Sequence, residues 1–117
     1  MILVDTSVWI NHFRRTDSKL VFLLQNDGVL IHPLIIGEIA CGHLKNRSEI
    51  LDLLMRLPKT LIATDEEVLA FIEHQKLFGK GLGFIDIHLL ASAKMTKVKL
   101  WTFDQLLHKY AEEFASI

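Results

Sequence analysis

The chain has one cysteine, two prolines and no excess of positive charge: thirteen Lys and Arg stand against fourteen Asp and Glu. Cys41 alone cannot close an internal disulfide, and no Cys/His pair has zinc-finger spacing. A reducing, cytoplasmic setting is the expectation. The net charge of −1 supplies no overall basic field, which counts against a nucleic-acid binder held by protein charge alone. No apolar run approaches the ~18 residues of a membrane span. Asp5 interrupts the apolar start Met1-Ile2-Leu3-Val4 too early for a secretion signal. A soluble protein with no membrane partner is expected. Repeats, linkers and low-complexity segments are also absent.

What is present suits a folded domain. Half of the 117 residues are apolar and 23% are charged, which excludes a disordered chain. A chain of this length buries roughly two-thirds of its unfolded surface, so one domain over 1–117 is expected, without structural disulfide or metal. Short β-like runs alternate with helical ones. Ile2-Leu3-Val4 reads as a strand, followed by a helix through Ser7–Phe13 and a second over about Ser18–Gln25, stopped at Asn26-Asp27-Gly28. Val29-Leu30-Ile31 is the second strand, and Pro33 opens a helix to about Leu44. Asn46-Arg47-Ser48-Glu49 has the form of a capping box before a helix carrying Ile50, Leu53, Leu54 and Leu57. After Pro58, Thr60–Ala63 is the third strand. Thr64-Asp65-Glu66-Glu67 is a further capping box, opening a helix to about Phe78. Glycines 79, 81 and 83 mark a loop, a helix runs from Phe84 to about Met95, Val98–Phe103 is the fourth strand, and Gln105–Phe114 is a closing helix. Apolar strands separated by helices predict an α/β domain: a three-layer sandwich around a parallel sheet of four to five strands.

Open parallel sheets bind ligands at the carboxyl ends of their strands. That edge sorts the fourteen acids. Asp5 ends the first strand, Asp104 follows the fourth, Glu38 lies in the first half of the helix after the second, and Asp86 lies in the first turn of the helix leading to the fourth. Each also has a plain structural reading: Asp5 and Asp104 as N-caps, Asp86 as a carboxylate favoured by a helix dipole. Two contexts speak for more. Glu38 is the only polar side chain between Leu34 and Cys41, and Asp86 is the only acid between Gly79 and Phe103, amid Phe84, Ile85, Ile87, Leu89 and Leu90. Carboxylates on such apolar helices are expected to be shielded from water and to need a partner, for which a cation qualifies. Asp65, Glu66, Glu67 and Glu49 are sufficiently explained as caps or first-turn acids, and Glu112 and Glu113 as helix surface.

Acids sharing a pocket repel one another, and a hard divalent cation relieves that repulsion. Oxygen ligands without Cys or paired His favour Mg²⁺ or Mn²⁺ over zinc, and the natural chemistry is phosphodiester hydrolysis with one or two ions. Ser7 and Thr102 are read as hydroxyls that orient Asp5 or a metal-bound water. The six histidines, among them His32 and His88, form no ligand or triad pattern. The basic clusters Arg14-Arg15, Lys45 with Arg47, and Lys94, Lys97 and Lys99 read first as solvated surface. Trp9, Phe13, Phe22 and Phe71 read as core, and Gly79-Lys80-Gly81-Leu82-Gly83 lacks the pattern of a phosphate-cradling loop.

Taken together, Ile2-Leu3-Val4-Asp5-Thr6-Ser7, Glu38 on its apolar helix, Gly83 to Ala93 around Asp86, and Leu100-Trp101-Thr102-Phe103-Asp104 resemble the motifs of a PIN domain, and more narrowly the VapC toxins of toxin–antitoxin pairs. The resemblance spans nearly the whole chain. It implies a Mg²⁺- or Mn²⁺-dependent endoribonuclease whose four acids are Asp5, Glu38, Asp86 and Asp104, with Asp5 and Asp86 foremost as metal ligands and Thr102 as a supporting hydroxyl. It further implies a homodimer, an RNA substrate and a cognate VapB-type antitoxin. Such proteins often carry a short fifth strand after the last acid, where this sequence reads as helix. Rivals fit less well. A haloacid-dehalogenase-type phosphatase wants a second Asp where Ser7 stands, and a receiver domain wants paired acids near the first strand's end. A PIN-like module that only binds RNA or protein has no need of four acids.

Overall fold

The computed structural model describes residues 1–115. Three strands, β1 (Ile2–Val4), β2 (Val29–Leu30) and β3 (Lys99–Trp101), form a parallel sheet in the order β2-β1-β3. Leu3 is the hub of the register, level with Leu30 on one side and Leu100 on the other. β1 is therefore central, and the chain leaves it for one neighbour and later arrives at the other. Asp5 stands at that point of reversal, where an open α/β sheet forms its crevice.

Among the described residues, seven helices surround the sheet: α1 (Thr6–Arg14), α2 (Ser18–Gln25), α3 (Pro33–Cys41), α4 (Arg47–Arg56), α5 (Asp65–Gln75), α6 (Phe84–Thr96) and α7 (Gln105–Ala115). α3 packs on both α1 and α4, α6 packs on α5, and α6 and α7 both pack on β3. Local chemistry sets most helix starts. Asp17 accepts from the Leu20 amide (3.1 Å), and Thr64 and Glu67 close a reciprocal box through bonds of 2.9 and 3.1 Å. Pro33 opens α3, capped by His32, whose Nδ1 accepts from the Leu34 amide at 3.0 Å. The main core joins Leu3, Val4, Val8, Leu20, Ile31, Ile35, Leu89 and Leu107, and α6 is buried without interruption from Ile87 to Ala93.

Three expectations need correction. Among the described residues the sheet has three strands, not four to five. Residues 60–63 form no strand; only Lys59 bridges Ile31, through the Ile31 amide to Pro58 (2.9 Å) and the Thr60 amide to the Ile31 carbonyl (3.1 Å). The next amide, Leu61, turns instead to the Thr96 hydroxyl at 3.0 Å, so the ladder ends after one rung. The capping box at Asn46 is likewise not formed. Asn46 sits in the left-handed region (φ 58°), where its side chain makes no capping bond, whereas a capping residue holds extended backbone. Arg47 reaches back to the Ala40 carbonyl with Nε and Nη2. Finally, α3 stops at Cys41, short of Leu44, and α5 at Gln75, short of Phe78.

Candidate functional site

β1 hands over to α1 at Asp5. Its amide donates to the Trp101 carbonyl of β3 (2.9 Å), while its own carbonyl accepts from Val8 and Trp9 to start the helix. The side chain is only 7% exposed, and its burial is compensated by hydroxyls. Ser7 Oγ and Thr102 Oγ1 each donate to Asp5 Oδ2 at 2.8 Å, and the two hydroxyl oxygens lie 3.3 Å apart. Both oxygens also accept. Ser7 Oγ takes the Phe103 amide (3.0 Å) and Thr102 Oγ1 takes the Asp104 amide (3.1 Å). Two hydroxyls thus tie the end of β1 to the residues beyond β3. Among the described residues, the hydrogen bonds to the Asp5 carboxylate fall on Oδ2.

Asp104 is exposed and caps α7, its Oδ1 accepting from the Leu107 amide at 2.9 Å. Asp86 is half-buried in the first turn of α6, where Oδ2 accepts from the Gly83 amide at 3.2 Å. Burial raises the Asp86 pKa above the ordinary carboxylate value; the Gly83 amide opposes the shift, and the charges of Asp104 and Asp5 add to it. The charges of two acids from separate segments, Asp104 and Asp5, therefore bear on Asp86. Glu38 joins differently: its Oε1 accepts from Thr6 Oγ1 at 2.7 Å, one residue along from Asp5.

The expected shielding is corrected for Glu38, which is exposed. α3 buries Ile35 and Ile39 along one stripe, and the apolar residues around Glu38 need not bury the rest of the helix. The plain N-cap readings of Asp5 and Asp104 are also true of the structure, since both cap helices. Among the described residues, no three His, Cys, Asp or Glu side chains are gathered into a ready chelate. The donor set still suits a hard ion. Such ions take one or two carboxylates and complete their shell with water and phosphate oxygens, and mutual repulsion at Asp86 is what a cation relieves.

Sequence reading missed two features. Thr6 is the link to Glu38, and the Asp-Thr-Ser run itself was its only signal. His32 and His88 are buried together, ring centroids 6.3 Å apart, and His88 Nε2 meets Asp65 Oδ1 at 3.0 Å. His32 Nε2 and His88 Nδ1 are buried without a hydrogen-bond partner among the described residues. Burial, with the neighbouring His88 charge, lowers the His32 pKa to about 4. No one-dimensional spacing brings residues 32, 65 and 88 together.

The PIN domain family model matches residues 2–113. Ribonuclease VapC32 of Mycobacterium tuberculosis, from strains CDC 1551 / Oshkosh and ATCC 25618 / H37Rv, is 46% identical over 108 residues, covering 92% of this chain and 87% of that protein. Strand-end acids at a parallel-sheet crevice, a family match over nearly the full length and this close relative agree: the chain belongs to the PIN-domain family, in its VapC branch.

Proposed function

We propose that this chain is a Mg²⁺- or Mn²⁺-dependent endoribonuclease, the toxin of a VapBC-type pair, acting as a single cytoplasmic domain over residues 1–117. VapC-type PIN nucleases depend in general on divalent metal. In this reading Asp5 and Asp86 are the leading ligands, with Asp104 and Glu38 completing the acidic rim. One observation carries it: Asp5, held by Ser7 and Thr102 at the carboxyl end of the central strand, together with Asp104 bears on the half-buried Asp86. Held by Asp5 and Asp86, such an ion would supply polarisation of the scissile phosphoryl group, a lowered pKa for attacking water and stabilisation of the leaving oxygen.

The protein's own groups prepare that chemistry. Ser7 and Thr102 fix the Asp5 carboxylate through Oδ2. Thr102 also holds the Asp104 amide, so a single hydroxyl aligns two acids. Thr6 restrains Glu38, whose exposure suits a water-filled approach for RNA. The partners in this reading are an RNA substrate, a VapB-type antitoxin that covers the site, and a second copy of the chain. No helix among the described residues is long and apolar enough to cross a membrane.

The test is direct. Purified protein incubated with total RNA should cut it in Mg²⁺ or Mn²⁺ and stop on addition of chelator. Cleavage that persists in chelator sinks the metal assignment. Protein that binds RNA but leaves it intact under every divalent ion would instead favour a silent PIN-like binding module.

A further inference from the structure

Two buried imidazoles, His32 (1% exposed) at the start of α3 and His88 (5% exposed) in α6, have hydrogen bonds that fix where their protons lie. His32 Nδ1 accepts from the Leu34 amide at 3.0 Å, so the ring's own proton is on Nε2. A pKa of about 4 keeps that ring neutral at pH 7. His88 Nε2 meets Asp65 Oδ1 at 3.0 Å, and a carboxylate accepts there, so Nε2 is the donor. Neutral His88 then has its lone pair on Nδ1.

The atoms left over are complementary. His32 Nε2–H is a donor and His88 Nδ1 an acceptor, and these two are buried without a partner among the described residues. Leaving both unmet is costly. The rings stand at 65°, centroids 6.3 Å apart. Ring nitrogens lie about 1.2 Å from the ring centre, so these two come no closer than about 4 Å, too far for a direct hydrogen bond. One bridging water spans such a gap. A metal ion does not meet the same need, because a ligand nitrogen must offer a lone pair and His32 Nε2 carries a proton.

The pair also joins two parts of the acidic site that share no broad contact among the described residues. α3, which carries Glu38, packs on α1 and α4, whereas α6, which carries Asp86, packs on α5, α7 and β3. His32 begins α3, its carbonyl accepting from the Ile35 and Ile36 amides at 3.0 and 3.2 Å. His88 stands two residues beyond Asp86, about 200° round the helix. It therefore bears on that acid by holding the helical turn, not by touching it.

We propose that His32 and His88, joined through one buried water, are positioning residues for the acidic site. They hold the α6 turn that carries Asp86 against the start of α3, and so set its spacing from Glu38. Hydrogen bonds then run unbroken from the Asp65 carboxylate through both rings to the Leu34 amide. For its effect on metal, the proposal rests on the ribonuclease reading.

Two measurements test it. In the parent at neutral pH, long-range ¹H–¹⁵N correlation spectra should show both rings protonated at Nε2. The His32 Hε2 proton should show a through-space contact with a water held longer than bulk solvent. The second measurement cuts the tie at its centre and keeps its ends. His32→Asn keeps an acceptor for the Leu34 amide and loses Nε2–H, while His88→Gln keeps a donor towards Asp65 and loses Nδ1. Mn²⁺ affinity, read by electron paramagnetic resonance without RNA, should weaken about 10-fold in each, the scale for groups that orient metal ligands indirectly. The Mn²⁺ concentration for half-maximal cleavage should rise in step, with kcat at saturating metal within a few-fold of the parent's. The double variant should lose no more than either single one, because one broken link already parts the helices.

A merely structural pair would lower the melting temperature and leave Mn²⁺ affinity unmoved. Parent-like affinity in the folded variants therefore overturns the positioning role, as does a double variant whose loss is the product of the two. A His32 ring protonated at Nδ1, or no water contact at Hε2, overturns the bridge. Should His32→Asn fail to fold, His88→Gln and the parent spectra decide the matter. If the parent binds no Mn²⁺ and cuts no RNA, the ribonuclease reading fails, and the ring spectra decide the bridge by themselves.

Discussion

The two sides of the acidic crevice are built differently. On the β1–β3 side, buried Asp5 is fixed by two hydroxyls that also hold the backbone of Phe103 and Asp104. On the α3 side, Glu38 is exposed and tied by a single bond to Thr6. The first arrangement spends packing and polar satisfaction to hold a charge still; the second leaves a charge in water where it can move. A site that must take up a cation and a long polyanion has use for both. The buried side sets the geometry, and the exposed side is open to what arrives.

The largest effect should follow from Asp86, on which the charges of Asp104 and Asp5 bear. Asp86→Asn keeps size and can still accept from the Gly83 amide, but removes the charge that meets Asp5 and Asp104. Cleavage in Mn²⁺ should fall on the order of 100-fold or more, as when other charge-stabilising groups are removed from an active site. The folded state should survive. A carboxylate whose pKa is raised in the native state holds the protein back at neutral pH, since ionisation there is harder folded than unfolded. Without metal at pH 7, Asp86→Asn should therefore melt no lower than the parent by calorimetry. Parent-like cleavage by this variant would remove Asp86 from the site.

Next in size is a pH effect on the buried side of the rim. The folded-state pKa of His32 is about 4 against 6.5 when free, so between those values the unfolded chain binds the extra proton. Stability is complete above pH 6.5 and declines as pH falls towards 4, by about 3 kcal/mol in full. Urea titrations at pH 7 and pH 4.5 should show this loss in the parent. His32→Gln, though less stable at pH 7, should show a flatter profile over the same window. Parallel profiles would mean that His32 is not the group responsible.

Thr102→Val probes the β1–β3 side alone. The change keeps shape but takes a donor from buried Asp5 and the acceptor from the Asp104 amide. Leaving such groups unsatisfied costs about 1–3 kcal/mol, readable as a lower urea midpoint with unchanged slope. Thr102→Ser should recover most of it. A neutral Thr102→Val would show that Ser7 suffices to hold Asp5.

Much of this was legible in the sequence because the relevant signals were local. Apolar runs ending in Asp5 and preceding Asp104 located two strand ends, and the parallel alternation fixed which edge those ends share. The PIN motifs named the same acids by resemblance. What failed depended on competition between distant groups. Residues 60–63 have strand-like composition, but Thr96, far along the chain, claims the Leu61 amide and ends the pairing. Asn46 carries a cap's chemistry and the wrong backbone angle, which no letter code reveals. Glu38 was expected in shelter because its neighbours are apolar, yet a helix hides only the stripe it packs. The His32–His88–Asp65 group was invisible for the same reason that the acids were visible: it has three-dimensional order without a strand-end rule to announce it.

The smallest effect belongs to the α3 side, and it separates holding from steering. Thr6→Val removes one bond at an exposed position, so stability should change by no more than about 0.5 kcal/mol. If Thr6 serves only the start of α1, cleavage should be unaffected as well. If it steers Glu38 towards the crevice, kcat should fall several-fold at unchanged melting temperature, and Thr6→Ser should restore it because the donor returns. Glu38→Gln should then lose activity to a greater degree, and Thr6→Val should add little on top of it, since a steering residue has nothing left to steer once the charge is gone. Independent, additive losses from the two substitutions would mean that the bond between them is incidental, and that the crevice is governed from its β1–β3 side alone.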